Sequence, residues 1–157
     1  MSRAALERKL PAGQRLLLDT SALIAHLDGG EEVSPVATHI VDGPVREGRN
    51  PALVSMVSVM EILVRPLRDA RPEYLHALDF LVRHPNLQLQ PVDLPVAEEA
   101  ARMRAMFGLA APDALIVATG IANEATQLVT NDRRWTSRLQ RVKSTMSVIH
   151  LADYIPL

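Results

Sequence analysis

Apolar positions along this chain follow two rhythms. Leu16-Leu17-Leu18 is a short continuous run with polar borders, the pattern of a strand buried on both faces. Further strands are expected at Ala52 to Ser55, Gln127 to Thr130 and Ser147 to Leu151, and Leu87-Gln88-Leu89-Gln90 alternates as a half-exposed strand does. Between these runs the spacing turns helical. Ala22 to Leu27 predicts a compact helix ended by Asp28-Gly29-Gly30, and an irregular helix is expected from Ser34-Pro35, interrupted at Gly43-Pro44. Val59 to Leu67 predicts a helix that Pro66 stops or kinks. After Pro72, the positions Leu75, Leu78, Phe80, Leu81 and Val82 keep helical spacing as far as His84-Pro85. A helix is expected from Pro95 to Phe107 with Gly108 as its stop, and another, Ala114 to Ala125, is apolar nearly all round and therefore central. A basic helix near Arg133 to Leu139 precedes the last strand. Strands alternating with helices in this way predict an α/β fold, a three-layer α/β/α sandwich with a mostly parallel sheet.

Four carboxylates fall where these elements meet. Asp19 closes the first strand, Glu61 lies in the helix after the second, Asp113 follows Pro112 at a helix start, and Asp132 follows Leu128-Val129-Thr130-Asn131. With parallel strands, their carboxyl ends share one edge of the sheet, and the crevice beside that edge is where open α/β folds bind ligands. Taken singly each residue has an ordinary explanation: Asp19 as an N-cap, Glu61 in a capping box with Ser58, Asp113 at the positive end of a helix dipole, and Asp132 in an Asx turn. Capping does not require all four to share one edge. Two unit charges about 4 Å apart repel by roughly 4 kcal/mol at an effective dielectric near 20. An all-oxygen carboxylate cluster therefore suits a hard divalent cation, Mg²⁺ or Mn²⁺, and such an ion suits phosphodiester hydrolysis.

Composition narrows the alternatives. The chain has 157 residues, enough for one domain, with residues 1–14 expected as a poorly ordered lead-in and 15–157 as a single nuclease domain. Aromatics are only 3%, so base stacking on aromatic platforms is a poor fit, and the absence of Cys removes disulfides, thiolate metal sites and cysteine nucleophiles, in keeping with a cytoplasmic protein. No long apolar stretch suggests a membrane anchor. The net charge of −1 means that a nucleic-acid partner must be held by a local basic patch or a metal. Two such patches stand out, Arg65, Arg68 and Arg71 beyond Glu61, and Arg133, Arg134, Arg138, Arg141 and Lys143 beyond Asp132. They are candidates for phosphate contact, or else simply solvated helix faces. Trp135, the single tryptophan, is expected to pack in the core. The motifs of P-loop, dinucleotide-binding, zinc-protease and nucleophile-elbow enzymes are missing, and the five histidines show no ligand spacing.

Four blocks in order, LLLDTSALIAHL, VSMVSVMEILVRPL, APDALIVATGIA and LVTNDRRW, resemble the PIN-domain ribonucleases, in particular the VapC-type toxins of bacterial toxin–antitoxin pairs. The resemblance covers nearly the whole chain after residue 15. It implies that Asp19, Glu61, Asp113 and Asp132 form the acidic metal site, with Thr20 or Ser21 and Asn131 supporting the metal ligands or the phosphate. It also implies Mg²⁺- or Mn²⁺-dependent cleavage of RNA, homodimerisation, and inhibition by a cognate antitoxin. Where many members carry a further acidic residue after the Thr-Asn-Asp segment, this chain has Arg133, Arg134, Trp135 and Thr136. Two other classes stay open at this point: a catalytically weak RNA- or antitoxin-binding module, and a metal-dependent phosphatase of small esters.

Overall fold

The computed structural model describes residues 3–156. Its centre is a five-stranded sheet, β1 (Leu16–Leu18), β2 (Ala52–Ser55), β3 (Leu87–Gln90), β4 (Gln127–Thr130) and β5 (Ser147–His150). The spatial order is β3-β2-β1-β4-β5 and every neighbouring pair is parallel. The expected α/β sandwich is thus present, with a wholly parallel sheet. β1 lies in the middle, with Leu17 beside Leu53 of β2 and Leu128 of β4. The chain leaves it toward β2 on one side and returns to β4 on the other, so the sheet's order reverses at the carboxyl end of β1.

The period of two along each strand divides the core. Leu16, Leu18, Ala52, Val54, Val129 and Ile149 pack on one face with α1 (Arg3–Lys9), α2 (Thr20–Asp28) and α3 (Ser34–Ile40). Leu17, Leu53 and Leu128 pack on the other with α6 (Leu94–Phe107), α7 (Ala111–Ala122) and α8 (Arg134–Arg141). Trp135 is buried in this second layer, as its sequence context suggested. α4 (Met56–Arg68) and α5 (Glu73–Arg83) complete the α-helices of the described residues, and a short 3-10 helix, Leu151–Tyr154, follows β5. Gly120 marks the closest approach of α7 to the sheet: a Cβ there would lie 2.7 Å from Leu17 Cδ2 and 3.1 Å from Met146 Sδ.

Several elements differ from the sequence reading. The lead-in expected to be poorly ordered is helical over Arg3–Lys9, with Leu6 and Leu10 fully buried in the first core layer. Glu7 anchors it further, pairing with His39 at 2.8 Å and Arg49 at 2.7 Å. So short a helix carries too few positions for periodicity to show, and its order comes from tertiary burial. α4 begins at Met56, ahead of the expected Val59, because the Ser55 hydroxyl caps it by accepting the Val57 N–H. Pro66 does not stop it; the helix continues to Arg68. The irregular segment after α3 is a π-helical stretch, Val41–Val45, holding Gly43 and Pro44. α7 starts at Ala111 and ends at Ala122, three residues ahead of the expected span at both ends.

Candidate active site

The fold brings the ends of β1, β2 and β4 together, and the candidate side chains follow from that. Asp19 occupies the N-cap position of α2, yet its side chain makes no cap hydrogen bond. Its Oδ2 accepts instead from the hydroxyls of Ser21 and Thr130, both at 2.8 Å. Ser21 Oγ in turn accepts the Asn131 N–H at 2.8 Å, and Thr130 Oγ1 accepts the Asp132 N–H at 2.9 Å. Each hydroxyl has one proton and gives it to Asp19, so the 3.0 Å approach of the two hydroxyls to each other is a contact without a proton between them. This network ties the turn after β4 to the turn after β1. Asp19 is buried, and its Oδ2 is held by two hydroxyl donors.

Glu61 is not in a capping box. Ser55, not Ser58, caps α4, and Glu61 Oε2 accepts a hydrogen bond from Thr20 Oγ1 at 2.5 Å across the gap between α2 and α4. Glu61 also borders a cavity of about 560 Å³ whose wall includes Ile24, Leu27, Arg65, Arg71 and His76.

Asp113 sits in the first turn of α7 and Asp132 just before α8. One guanidinium joins them: Arg138 Nη2 lies 3.0 Å from Asp113 Oδ2 and Arg138 Nη1 lies 2.8 Å from Asp132 Oδ2. Arg134 clasps Asp132 from outside, with Nη2 at 2.9 Å from Oδ2 and its backbone N–H at 2.9 Å from Oδ1. The Asx turn considered for Asp132 is therefore real, and it coexists with the ion pairs. The hydrogen bonds from Arg134, then those from Arg138, hold the Asp132 carboxyl far below the usual carboxylate range. Asp113 moves the other way. Burial raises its pKa, Arg138 opposes the rise, and the negative charges of Asp19 and Asp132 add to it. Asp113 thus lies within electrostatic reach of two of the other acids.

The remaining sequence candidates take different places. Thr20 and Ser21 spend their hydroxyls on Glu61 and Asp19, and Asn131 contributes its backbone N–H. Arg133 pairs with Asp153 at 2.6 Å rather than with any of the four acids. Arg65, Arg68 and Arg71 gather around Asp69, at 4.0, 3.1 and 3.9 Å, and all three remain mostly solvent-exposed. Thr130 carries no sequence signal beyond a hydroxyl at the carboxyl end of the strand Gln127–Thr130. The Arg138 bridge has no sequence signal beyond membership of a basic cluster.

The donor chemistry fits a hard cation: carboxylate oxygens, with hydroxyls in support. As the side chains lie, no three His, Asp or Glu among the described residues are close enough to share one ion. Between Asp113 and Asp132 the positive charge present is the guanidinium of Arg138, which shows that this position accepts a cation.

The PIN domain family profile matches residues 16–142. No curated protein sequence matches the chain. Among solved structures, the VapBC2 complex of Rickettsia felis bound to a promoter DNA fragment superposes with a TM-score of 0.65 at 14% identity, covering 87% of this chain and 98% of that one. A toxin–antitoxin complex from Klebsiella pneumoniae gives a TM-score of 0.62 at 20% identity, covering 87% and 97%. VapC20 of Mycobacterium tuberculosis, a toxin that cleaves the sarcin–ricin loop, gives 0.60 at 15% identity, covering 78% and 93%.

Proposed function

The chain belongs to the PIN domain family, and from that premise we propose that it is a metal-dependent endoribonuclease, the toxin of a type II toxin–antitoxin pair acting in the cytoplasm. The observation that carries this reading is the arrangement at the reversal point of the sheet. Asp113 lies within electrostatic reach of both Asp19 and Asp132 there, and Thr20 links the same turn to Glu61. Mg²⁺ or Mn²⁺ held by Asp19, Asp113 and Asp132 would supply Lewis-acid stabilisation of the charge developing on the phosphate.

The chain's own residues do the rest. Thr20 fixes one oxygen of Glu61 by hydrogen bonding, which leaves the other to orient the attacking water and take its proton. Ser21 and Thr130 hold Asp19 in place by donating to its Oδ2, and the Asn131 amide braces Ser21. Arg65 and Arg71, which share the cavity wall with Glu61, meet the RNA phosphates on one side, with Arg68 beside them and Arg134 on the other. Arg133 reaches phosphate only by leaving Asp153.

Two partners accompany this reading, a cognate antitoxin and a second copy of the chain. In support, Met56, Met60, Val64 and Leu67 leave an apolar stripe exposed along α4. Among the described residues no helix is long and apolar enough to cross a membrane.

Cleavage of a structured RNA in Mg²⁺, Mn²⁺ or EDTA, repeated with Asp19→Asn and Asp113→Asn, tests the proposal. Chelation and either substitution are expected to lower the rate by about 10²-fold or more. Activity that survives all three refutes it. One observation favours a second reading: the Arg138 bridge occupies two of the acids, as expected of a domain that binds RNA or antitoxin and turns over poorly. Retention of RNA without cleavage at saturating Mn²⁺ would select that reading.

A further inference from the structure

Arg138 differs from every other arginine near the site. Its side chain is 18% exposed against 75% for Arg134, although both stand one turn apart on α8. Its guanidinium is held on three sides, by Asp113, by Asp132 and by the ring of the buried Trp135, whose centroid lies 5.0 Å away. The acceptor count at Asp132 makes this consequential. Oδ1 accepts the Arg134 backbone N–H, the Arg134 Nε–H is shared between Oδ1 and Oδ2, and Oδ2 also accepts the Arg138 Nη1–H, so both oxygens of Asp132 are engaged by arginines. Asp113 gives its Oδ2 to the same Arg138, and Asp19 gives its Oδ2 to two hydroxyls.

We propose that Arg138 is the resident counter-cation of the acidic site, a positioning residue that bridges Asp113 and Asp132 and must be displaced from between them when a divalent ion binds. A magnesium-sized ion needs oxygens at about 2.1 Å in near-octahedral array, and the Arg138 guanidinium stands between the two carboxylates where an ion bridging them would sit. Metal affinity is accordingly lower than the carboxylates alone would give, and ion binding moves a guanidinium off the indole face of the chain's single tryptophan. The inference rests on the proposal that the acids hold a metal, and it adds the exchange of one cation for another.

The test measures Mg²⁺ binding to the full chain by calorimetry and by Trp135 fluorescence, for the native sequence, Arg138→Met and Arg138→Lys. Removing the competing cation is expected to tighten Mg²⁺ binding about tenfold in Arg138→Met, with Arg138→Lys in between. The native chain should show a Mg²⁺-dependent change in tryptophan emission that Arg138→Met lacks even when loaded. Equal or weaker affinity in both variants, or an emission response unchanged by the substitutions, overturns the proposal, as does a native chain that binds no Mg²⁺. Circular dichroism checks folding, and should Arg138→Met fail to fold, the tightening and altered emission expected of Arg138→Lys decide. RNA cleavage measured in parallel keeps the two readings apart. Exchange of cations without RNA cleavage sinks the nuclease and leaves this inference standing, whereas Mg²⁺-dependent cleavage with affinity indifferent to residue 138 does the reverse.

Discussion

Two carboxylates joined by one arginine respond oppositely to their surroundings, and single substitutions should expose the difference. Asp132 has a depressed pKa, so its contribution to stability is fully present above the unfolded value near 4 and is lost as pH falls through the folded value. Asp113 has a raised pKa; its charged form weakens the metal-free fold as pH climbs from the unfolded value through the folded one. At neutral pH, Asp132→Asn should therefore cost about 1–2 kcal/mol, the range for a hydrogen-bonded charge discounted for the exposure of Arg134. Asp113→Asn should leave the metal-free protein equally or more stable. Urea unfolding of both variants without metal checks the pair, and a large loss for Asp113→Asn would mean that its charge is structural. Much of this site was legible in the sequence, because a carboxylate at a strand's end is a local feature and parallel pairing then fixes its edge. Thr20, Ser21 and Asn131 were legible as supporting residues only through the family resemblance, and two further partners were not legible at all. Thr130, 111 residues from Asp19, and Arg138, between two acids, become neighbours only through the sheet order.

At the scale of elements, Gly120 sets how closely α7 lies on β1. In Gly120→Ala the new methyl would meet the buried Leu17 side chain at 2.7 Å, and overpacking of this kind costs about 1–3 kcal/mol. Asp113 lies two turns back on the same helix, so RNA cleavage should fall along with the midpoint of thermal unfolding. A variant of native stability and activity would show that Leu17 yields without strain. The first helix makes a sharper case. Leu6→Ala empties a fully buried position and is expected to cost about 2–4 kcal/mol by denaturant titration, whereas an ill-ordered lead-in would leave stability unchanged. The strands were readable because short apolar runs between polar borders have few other uses in a three-layer sandwich. The first helix was not, since seven residues bearing one buried leucine show no period, and what orders them is the long-range seating of Leu6, Leu10 and Glu7. The start of α4 was misplaced for a related reason: Ser55 and Ser58 both look like caps, and only the end of β2 decides between them.

For the molecule as a whole, a net charge of −1 leaves no general field to draw a polyanion, so RNA affinity must come from a few arginines near the crevice. Arg65, Arg68 and Arg71 surround a single Asp69, which leaves that patch with a net charge near +2, and Arg134 adds a donor on the far side of the acids. About four phosphate contacts on single-stranded RNA correspond to a slope near −3 in log K against log salt concentration. Changing Arg65 or Arg71 to Gln should flatten that slope by about 0.7 each and weaken binding for all sequences alike, as backbone contacts do. Changing Arg141, which points its guanidinium at the Phe107 carbonyl, should leave the slope as it was. Filter binding of a catalytically silent Asp19→Asn background across a salt series measures all of these. A slope that ignores Arg65 and Arg71 yet responds to Arg141 would place the RNA against the end of α8 beside Phe107 and away from the cavity beside Glu61, and the path of the strand past the acids would have to be redrawn.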